Sequence, residues 1–290
     1  QIVPTDTVNL WFVSLYQPQP VDDGELLAFI HEEGVGMTGG TEQNREGKTR
    51  IGLAWSEDHG NTWTYLGRII SPYGDPQPHN IQGAPYVIKD GYFHVYFVDK
   101  VTTVNGVHDG IAVARASVAS VLQAARAGSL GTGLWKKYSN GSFTTDALGG
   151  VSSPIAPWGI THTQAAYSTH TGKYYLPLTF MTWPDGAGGR VNSSVKLYES
   201  TDAVTWSASP AIVLADEAPA TLRADAGYQY CSVTDRDGAP NAQVGANFYV
   251  YCAKDPYLYT TKMALYRWQV MTDPVGGHVF RQSTDFSATL

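Results

Sequence analysis

The sequence predicts an all-β protein, and three observations carry that prediction. Aromatic residues make up 12% of the 290-residue chain, and such side chains suit a pleated, half-buried surface. The 30 Gly and 16 Pro supply punctuation for many tight turns. Helical periodicity is nearly absent. Its one good stretch is "SVASVLQAAR" (117–126), where Val118, Val121, Leu122 and Ala125 fall on one face and Gly128 follows, predicting a short helix on a connection. Hydrophobic residues at 43% against 16% charged exclude a disordered chain. No run approaches the ~18 apolar residues of a membrane span. A net charge of −7 argues against nucleic acid as a partner.

The strands recur as a unit: an apolar strand, an Asp/Gly turn, and an aromatic-alternating strand. "GAPYVIKDGYFHVYFVDK" (83–100) shows it plainly, and "AAYSTHTGKYYLPLTF" (165–180) repeats it. "LWFVSLYQPQPVDDGELLAFIHEE" (10–33) and "YQYCSVTDRDGAPNAQVGANFYVYCAKD" (228–255) are copies with longer turns. A third strand follows each hairpin: "TRIGLAWSED" (49–58), "DGIAVARA" (109–116), "SVKLYEST" (194–201) and "KMALYRWQV" (262–270). The pitch is roughly 65–80 residues, and no copy can bury both its faces alone, so the copies must pack on one another. Four-stranded antiparallel sheets at this spacing predict a β-propeller. Four good copies plus leftover terminal segments predict five blades, with the N-terminal strand and the tail "HVFRQSTDF" (278–286) helping to close the ring. No Pro/Gly/Ser linker divides the chain, so one domain over 1–290 is expected, with a monomer as the default.

Cys231 and Cys252 are the two cysteines. Each sits in a strand-like stretch about twenty residues from the other, a spacing at which antiparallel neighbours come within bridging reach. A disulfide is expected, and with it an oxidising, extracellular compartment. The sequons Asn140-Gly-Ser142 and Asn192-Ser-Ser194 fit secretion.

Residues 56–63, Ser56-Glu57-Asp58-His59-Gly60-Asn61-Thr62-Trp63, match the Asp-box S-x-D-x-G-x-T-W at every defined position. A looser copy, "STDAVTW" (200–206), lacks the Gly. The chemistry of this motif is structural. The Asp accepts turn N–H groups, the Gly takes a backbone geometry closed to other residues, and the Trp packs between strands. "RIGLAWSEDHGNTWTYLGRII", "QGAPYVIKDGYFHVYFVDK" and "GIAVARA" together resemble the secreted β-propeller carbohydrate enzymes. These are the Asp-box, sialidase-like proteins and the five-bladed arabinanase/xylosidase-like glycoside hydrolases. The resemblance covers most of the chain as blade pattern and implies a carbohydrate substrate. By analogy with the arabinanase-like enzymes, a structural calcium on the propeller axis is compatible with the sequence, and no cofactor is required.

In such propellers, inner-strand starts and second-strand ends lie on the active face. Inner-strand starts carry Asp6; His79, Asn80 and Gln82; Trp158, His162 and Gln164; Arg223, Asp225 and Tyr228. Second-strand ends carry His31, Glu32 and Glu33; Asp99 and Lys100; Trp183 and Asp185; Lys254 and Asp255. A glycosidase needs two carboxyl groups, one to protonate the leaving oxygen and one as nucleophile or base. The arabinanase-like enzymes place three acids on successive inner-strand starts. This chain departs from them, with Gln82 and Gln164 where the second and third acids would fall, so only Asp6 matches. The remaining acid candidates are Glu32, Glu33, Asp99 and Asp225, and strand alternation sends Glu32 and Glu33 to opposite sides. The sialidase reading fails because Arg50 and Arg115 lie inside third strands and the N-terminal arginine motif is missing.

Two alternatives stand beside a hydrolase. His79, His162, Arg223 and Tyr228 form the kit of a polysaccharide lyase, in which Arg neutralises a uronate carboxylate and His or Tyr moves the proton. A non-catalytic glycan-binding propeller would show near-identical repeats, which these are not. Trp158, Trp183 and Tyr228 are expected to stack on sugar rings, whereas Trp55, Trp63, Trp206 and Trp268 read as core.

Overall fold

The described residues are mostly strand with little helix, as the turn-rich, aromatic sequence requires. A computed structural model describes residues 7, 9–18, 24–35, 49–74, 81–103, 106–159, 162, 164–182, 192–216, 227–254, 264–273, 279–282 and 288–289. They fall into two compact units, Gln1–Pro157 and Trp158–Leu290.

The first unit opens with an antiparallel meander of β1 (Asn9–Tyr16), β2 (Leu26–Glu33), β3 (Arg50–Ser56) and β4 (Thr64–Ile70), in that spatial order. Along β2, Leu27, Phe29 and His31 face one way and Ala28, Ile30 and Glu32 the other, as period-two side chains must. The second sheet starts on an inner strand broken into β5 (Ile81–Gln82) and β6 (Tyr86–Lys89), both paired with β7 (Tyr92–Thr103). Pro85, which has no N–H to give a ladder, lies in the break. The sheet continues through β8 (Gly106–Ser117), β9 (Lys136–Ser139) and β10 (Ser142–Asp146). The expected helix is α1 (Val118–Arg126), capped by the Ser117 side chain on the Ser120 N–H, with Val121 and Ala125 buried. The two inner strands are tied by Ser14 Oγ donating to Ala84 O at 2.7 Å and by Tyr86 OH donating to Leu15 O at 2.8 Å. Between the sheets Phe29 stacks on Tyr86 at 5.1 Å and meets Phe93 edge-on at 5.5 Å.

The second unit repeats the plan. Its first sheet holds β11 (Ala166–Ser168), β12 (Tyr174–Thr182), β13 (Asn192–Ser200) and β14 (Ile212–Asp216). Its second holds β15 (Tyr228–Asp235), β17 (Asn247–Lys254), β18 (Ala264–Thr272) and β19 (Val279–Gln282). Two short strands complete it: β16 (Gln243–Val244) runs parallel to β11, and β20 (Ala288–Thr289) pairs with β18. The inner strands are parallel neighbours, with Gln164 bridging Ser232 and the Val233 N–H donating to Gln164 O at 3.1 Å. Tyr175, Leu197, Tyr228, Phe248, Val250 and Trp268 sit in one buried cluster. The expected disulfide is present: Cys231 of β15 is bonded to Cys252 of β17, with Cα atoms 4.1 Å apart.

Four successive meanders are the blade pattern of a β-propeller, and the chain has that arrangement. Five blades were expected; the described residues form four sheets. Of the terminal segments that suggested a fifth, residues 279–282 of the tail form β19 beside β18 in the last sheet, and residues 1–6, 8, 278 and 283–286 lie outside the described residues.

The turn over residues 56–63 is closed as its sequence directs. Asp58 Oδ1 accepts the Thr62 N–H at 2.8 Å and the Ser56 hydroxyl at 2.8 Å, and Oδ2 accepts the Thr62 hydroxyl at 2.6 Å. These bonds, the Thr62 side chain first, hold the carboxyl below its ordinary value. Gly60 takes φ +82°, and the Trp63 indole N–H reaches back to its carbonyl at 2.9 Å. In the looser copy Ala203 takes φ +64°, while Asp202 accepts the Val204 and Thr205 N–H groups.

Candidate functional site

Each acid predicted in the first unit can be followed to its surroundings. Glu32 is fully buried on β2. Its Oε1 accepts Tyr65 OH at 2.5 Å, and its Oε2 accepts Arg68 Nε at 2.8 Å and Thr7 Oγ1 at 3.3 Å. Room for it comes from Gly52 on β3, where a Cβ would lie 2.5 Å from Glu32 Oε1. Asp99, on β7, is also buried. Its Oδ2 accepts Ser152 Oγ at 2.7 Å and Lys137 Nζ at 3.1 Å. The fully buried Lys137 donates further to Ser71 O and Gly150 O, each at 2.8 Å. Glu32 and Asp99 were expected as catalytic acids. Both are instead withdrawn from solvent into ion pairs with cations from outer strands, β4 and β9.

Glu33 is placed differently. It leaves β2 on the face opposite Glu32, and its side chain is 27% exposed. The register sets Asn9 across from Glu33 and Trp11 across from His31. The buried His31 ring brings Nε2 to 3.3 Å from Glu33 Oε1. Hydrogen bonding from His31 lowers the Glu33 carboxyl most and burial opposes it. The His31 charge and the side chains of Trp11 and Asn9 lower it further, so it is held at about 2. Trp11 itself is 55% exposed. The arrangement is an ionised carboxylate with its orienting groups on one side and an open indole beside it, at the inner-strand start and second-strand end of one sheet. It can accept hydroxyl protons, act as base or nucleophile, and present an apolar face to a ring. Trp11 is not among the residues that the motifs and strand ends single out. Its signal was available: counting β1 against β2 in antiparallel register puts Trp11 opposite His31.

The Asp58 turn lies at the other end of this sheet, since Leu26 pairs with Ser56 and Glu32 with Arg50. A cleft of about 460 Å³ opens there, lined by Trp55, Glu57, Asp58 and Arg126 among others. Arg50 is buried on β3, its Nη1 donating to Thr49 O at 2.8 Å. Arg115 is held over Phe143 at 4.2 Å and Tyr92 at 4.7 Å. Both arginines are taken up by the sheets. Gln82 is half-buried on β5, opposite Val98.

In the second unit Tyr228 was expected at the substrate. It is instead in the buried cluster, edge-on to Trp268 at 5.1 Å, with Lys254 Nζ 4.9 Å from its ring. The lyase kit loses its tyrosine there. His162 stacks on Tyr230 with ring centroids 5.7 Å apart and planes 13° from parallel. Gln164 is half-buried and donates Nε2–H to Ala165 O at 3.1 Å, and Trp158 is exposed. Asp6, His79, Asn80, Trp183, Asp185, Arg223, Asp225 and Asp255 lie outside the described residues. Among the described residues no group of three or more His, Cys, Asp or Glu could hold a metal ion. No described helix is long and apolar enough to cross a membrane.

No protein-family model and no curated protein matches the chain. Solved structures do. A family 32 β-fructofuranosidase from Bombyx mori, in complex with sucrose, aligns with TM-score 0.52 at 9% identity over 90% of this chain and 47% of its own. The chain thus spans about half of that enzyme. A family 117 glycoside hydrolase from the marine bacterium Zobellia galactanivorans aligns with TM-score 0.51 at 11% identity, covering 98% of this chain and 72% of its own. A β-1,2-mannobiose phosphorylase from Listeria innocua aligns with TM-score 0.50 at 11% identity, covering 95% and 76%. At these identities the likeness is one of fold: the chain is built as the β-propeller glycoside-acting enzymes are.

Proposed function

We propose that this protein is a secreted glycoside hydrolase that binds a poly- or oligosaccharide at the inner-strand starts of its blades. The observation that carries the reading is Glu33, a carboxylate held at about 2 by His31, Trp11 and Asn9 beside an exposed indole. A group that stays ionised through the neutral and mildly acidic range is a base or nucleophile and not a proton donor. Asp6, in the same stretch of chain, is the candidate for the second, protonated carboxyl group. The fold neighbours support a glycoside-acting enzyme, and the Cys231–Cys252 bond supports an extracellular address. The turn bonds of Asp58 support the Asp-box reading of residues 56–63. One domain, acting as a monomer, is the simplest form of the reading.

The test is a panel of plant, algal and microbial polysaccharides read for new reducing ends and for the ultraviolet absorbance of unsaturated products. Reducing ends without absorbance are expected. Glu33→Gln should then lower turnover by about 10²–10⁴-fold, assayed well below the variant's melting temperature, because losing a carboxylate held this low also costs stability. The acid limb that Glu33 sets should lie near pH 2, below the ordinary 4.5. His31→Gln should move it up toward that value. Unsaturated products, or full activity in Glu33→Gln, would overturn the reading.

A further inference from the structure

We propose that Tyr230, backed by His162, is a sugar-stacking platform for the C–H face of a pyranose ring. This inference rests on the carbohydrate reading above. It begins with a backbone anomaly. β15 pairs Gln229 with Ala253 but Ser232 with Tyr251, so one extra residue is inserted between them. Tyr230, inside this bulge, has φ +54°. A bulky aromatic residue in the left-handed region is strained, and such strain together with a bulge marks places where a side chain is re-aimed. The result is visible: Tyr228 and Cys231 are buried, while Tyr230 between them is 38% exposed.

The ring has a backing. Gln164 bridges Ser232 in the parallel inner strands. His162 and Tyr230 each stand two residues before that bridge, and this equal offset sets their rings face to face at 5.7 Å. The platform is also pinned. The next residue, Cys231, is bonded to Cys252, and its Sγ lies 3.5 Å from Thr179 Oγ1. The preceding residue, Gln229, is 2% exposed, and its Nε2 has no acceptor among the described residues. Strain, an unmet donor and an outward ring thus coincide at one inner-strand start, the position from which a propeller addresses its substrate.

The experiment uses the full chain and two substitutions. Tyr230→Asn keeps a residue that tolerates positive φ and removes the ring; Tyr230→Phe keeps the ring. Binding of galacto-, fructo-, manno- and arabino-oligosaccharides is measured by calorimetry alongside melting temperature, with Glu33→Gln in parallel. Tyr230→Asn should weaken the best ligand by about tenfold while melting within about 3 °C of wild type. Tyr230→Phe should bind within about twofold of wild type. Unchanged affinity in Tyr230→Asn overturns the platform and leaves the hydrolase reading standing. A larger melting loss in Tyr230→Asn makes the ring a packing element and overturns it too. If wild type binds no oligosaccharide of the panel, the carbohydrate reading falls and the platform falls with it.

Discussion

In the first unit the second strands carry buried acids near their ends, Glu32 on β2 and Asp99 on β7. Each is met by a base from an outer strand, Arg68 on β4 and Lys137 on β9. In the second unit β17 ends instead on Lys254, whose ammonium lies 4.9 Å from the Tyr228 ring and 4.3 Å from that of Tyr266. There the inner strand is stapled to its neighbour by a disulfide. One sheet position is thus held by ion pairs in one unit and by aromatic rings and a covalent bond in the other. A charge taken out of water must be matched. Where this fold places an acid at that position it also brings a cation, and the acid is no longer offered for chemistry. Being an acid at a second-strand end is therefore not enough to be catalytic. Glu33, one residue beyond Glu32, faces the other way and escapes that fate.

Removing one partner of a first-unit pair should break the comparison most strongly. Lys137→Met leaves Asp99 buried, with one oxygen already lacking a hydrogen-bond partner among the described residues. The expected cost is about 3–5 kcal/mol, read by urea denaturation. The double variant Lys137→Met/Asp99→Leu should recover most of it, since an apolar pair of similar volume removes the orphaned charge. A single variant as stable as wild type would mean that water already reaches the pair.

The disulfide is the matching lever on the second unit. Its cysteines are 21 residues apart, and closing a loop of that order stabilises by about 3 kcal/mol. Cys231→Ala/Cys252→Ala should cost about that much. Hydrogen exchange should show the opening concentrated in β15 and β17, with β2 and β7 protected as before. Equal loss of protection in both units would show that they unfold together and that the chemical contrast has no thermodynamic counterpart.

How much of this was legible in the sequence depended on the range of the interaction. Strands, hairpins, the helix at 118–126 and the disulfide follow from patterns within a few residues or across one turn, and they read directly. Glu32 and Glu33 could be told apart in direction by alternation but not in role. The residues that decide it, Tyr65 and Arg68, are 33 and 36 positions away from Glu32. Tyr228, named for its place at an inner-strand start, is buried, and Tyr230 two residues on is turned outward. A one-residue bulge reverses the faces beyond it, and nothing in "GYQYCSVTD" announces it. The blade count among the described residues differs for a related reason: the tail strand completes the last sheet, and which edge a lone strand joins is a non-local choice.

The mildest probe is pH, and it should touch the first unit selectively. His94 on β7 is 3% exposed and packs edge-on to Phe143 at 5.5 Å. Burial pulls its ring down to about 4 from 6.5, against the backbone bond at Tyr92, with Arg115 and Lys89 adding to the fall. The unfolded chain therefore takes up a proton before the folded one does. Stability is full above pH 6.5, falls as pH drops through that value, and levels off below about 4. Between pH 7 and pH 5 the loss should be about 2 kcal/mol. His94→Gln should flatten this part of the curve, and hydrogen exchange at pH 5 should show the change in β7 and β8 first. If the pH dependence of the variant matched that of wild type, the acid response would have to come from other groups, and His94 would lose its place in the contrast between the two units.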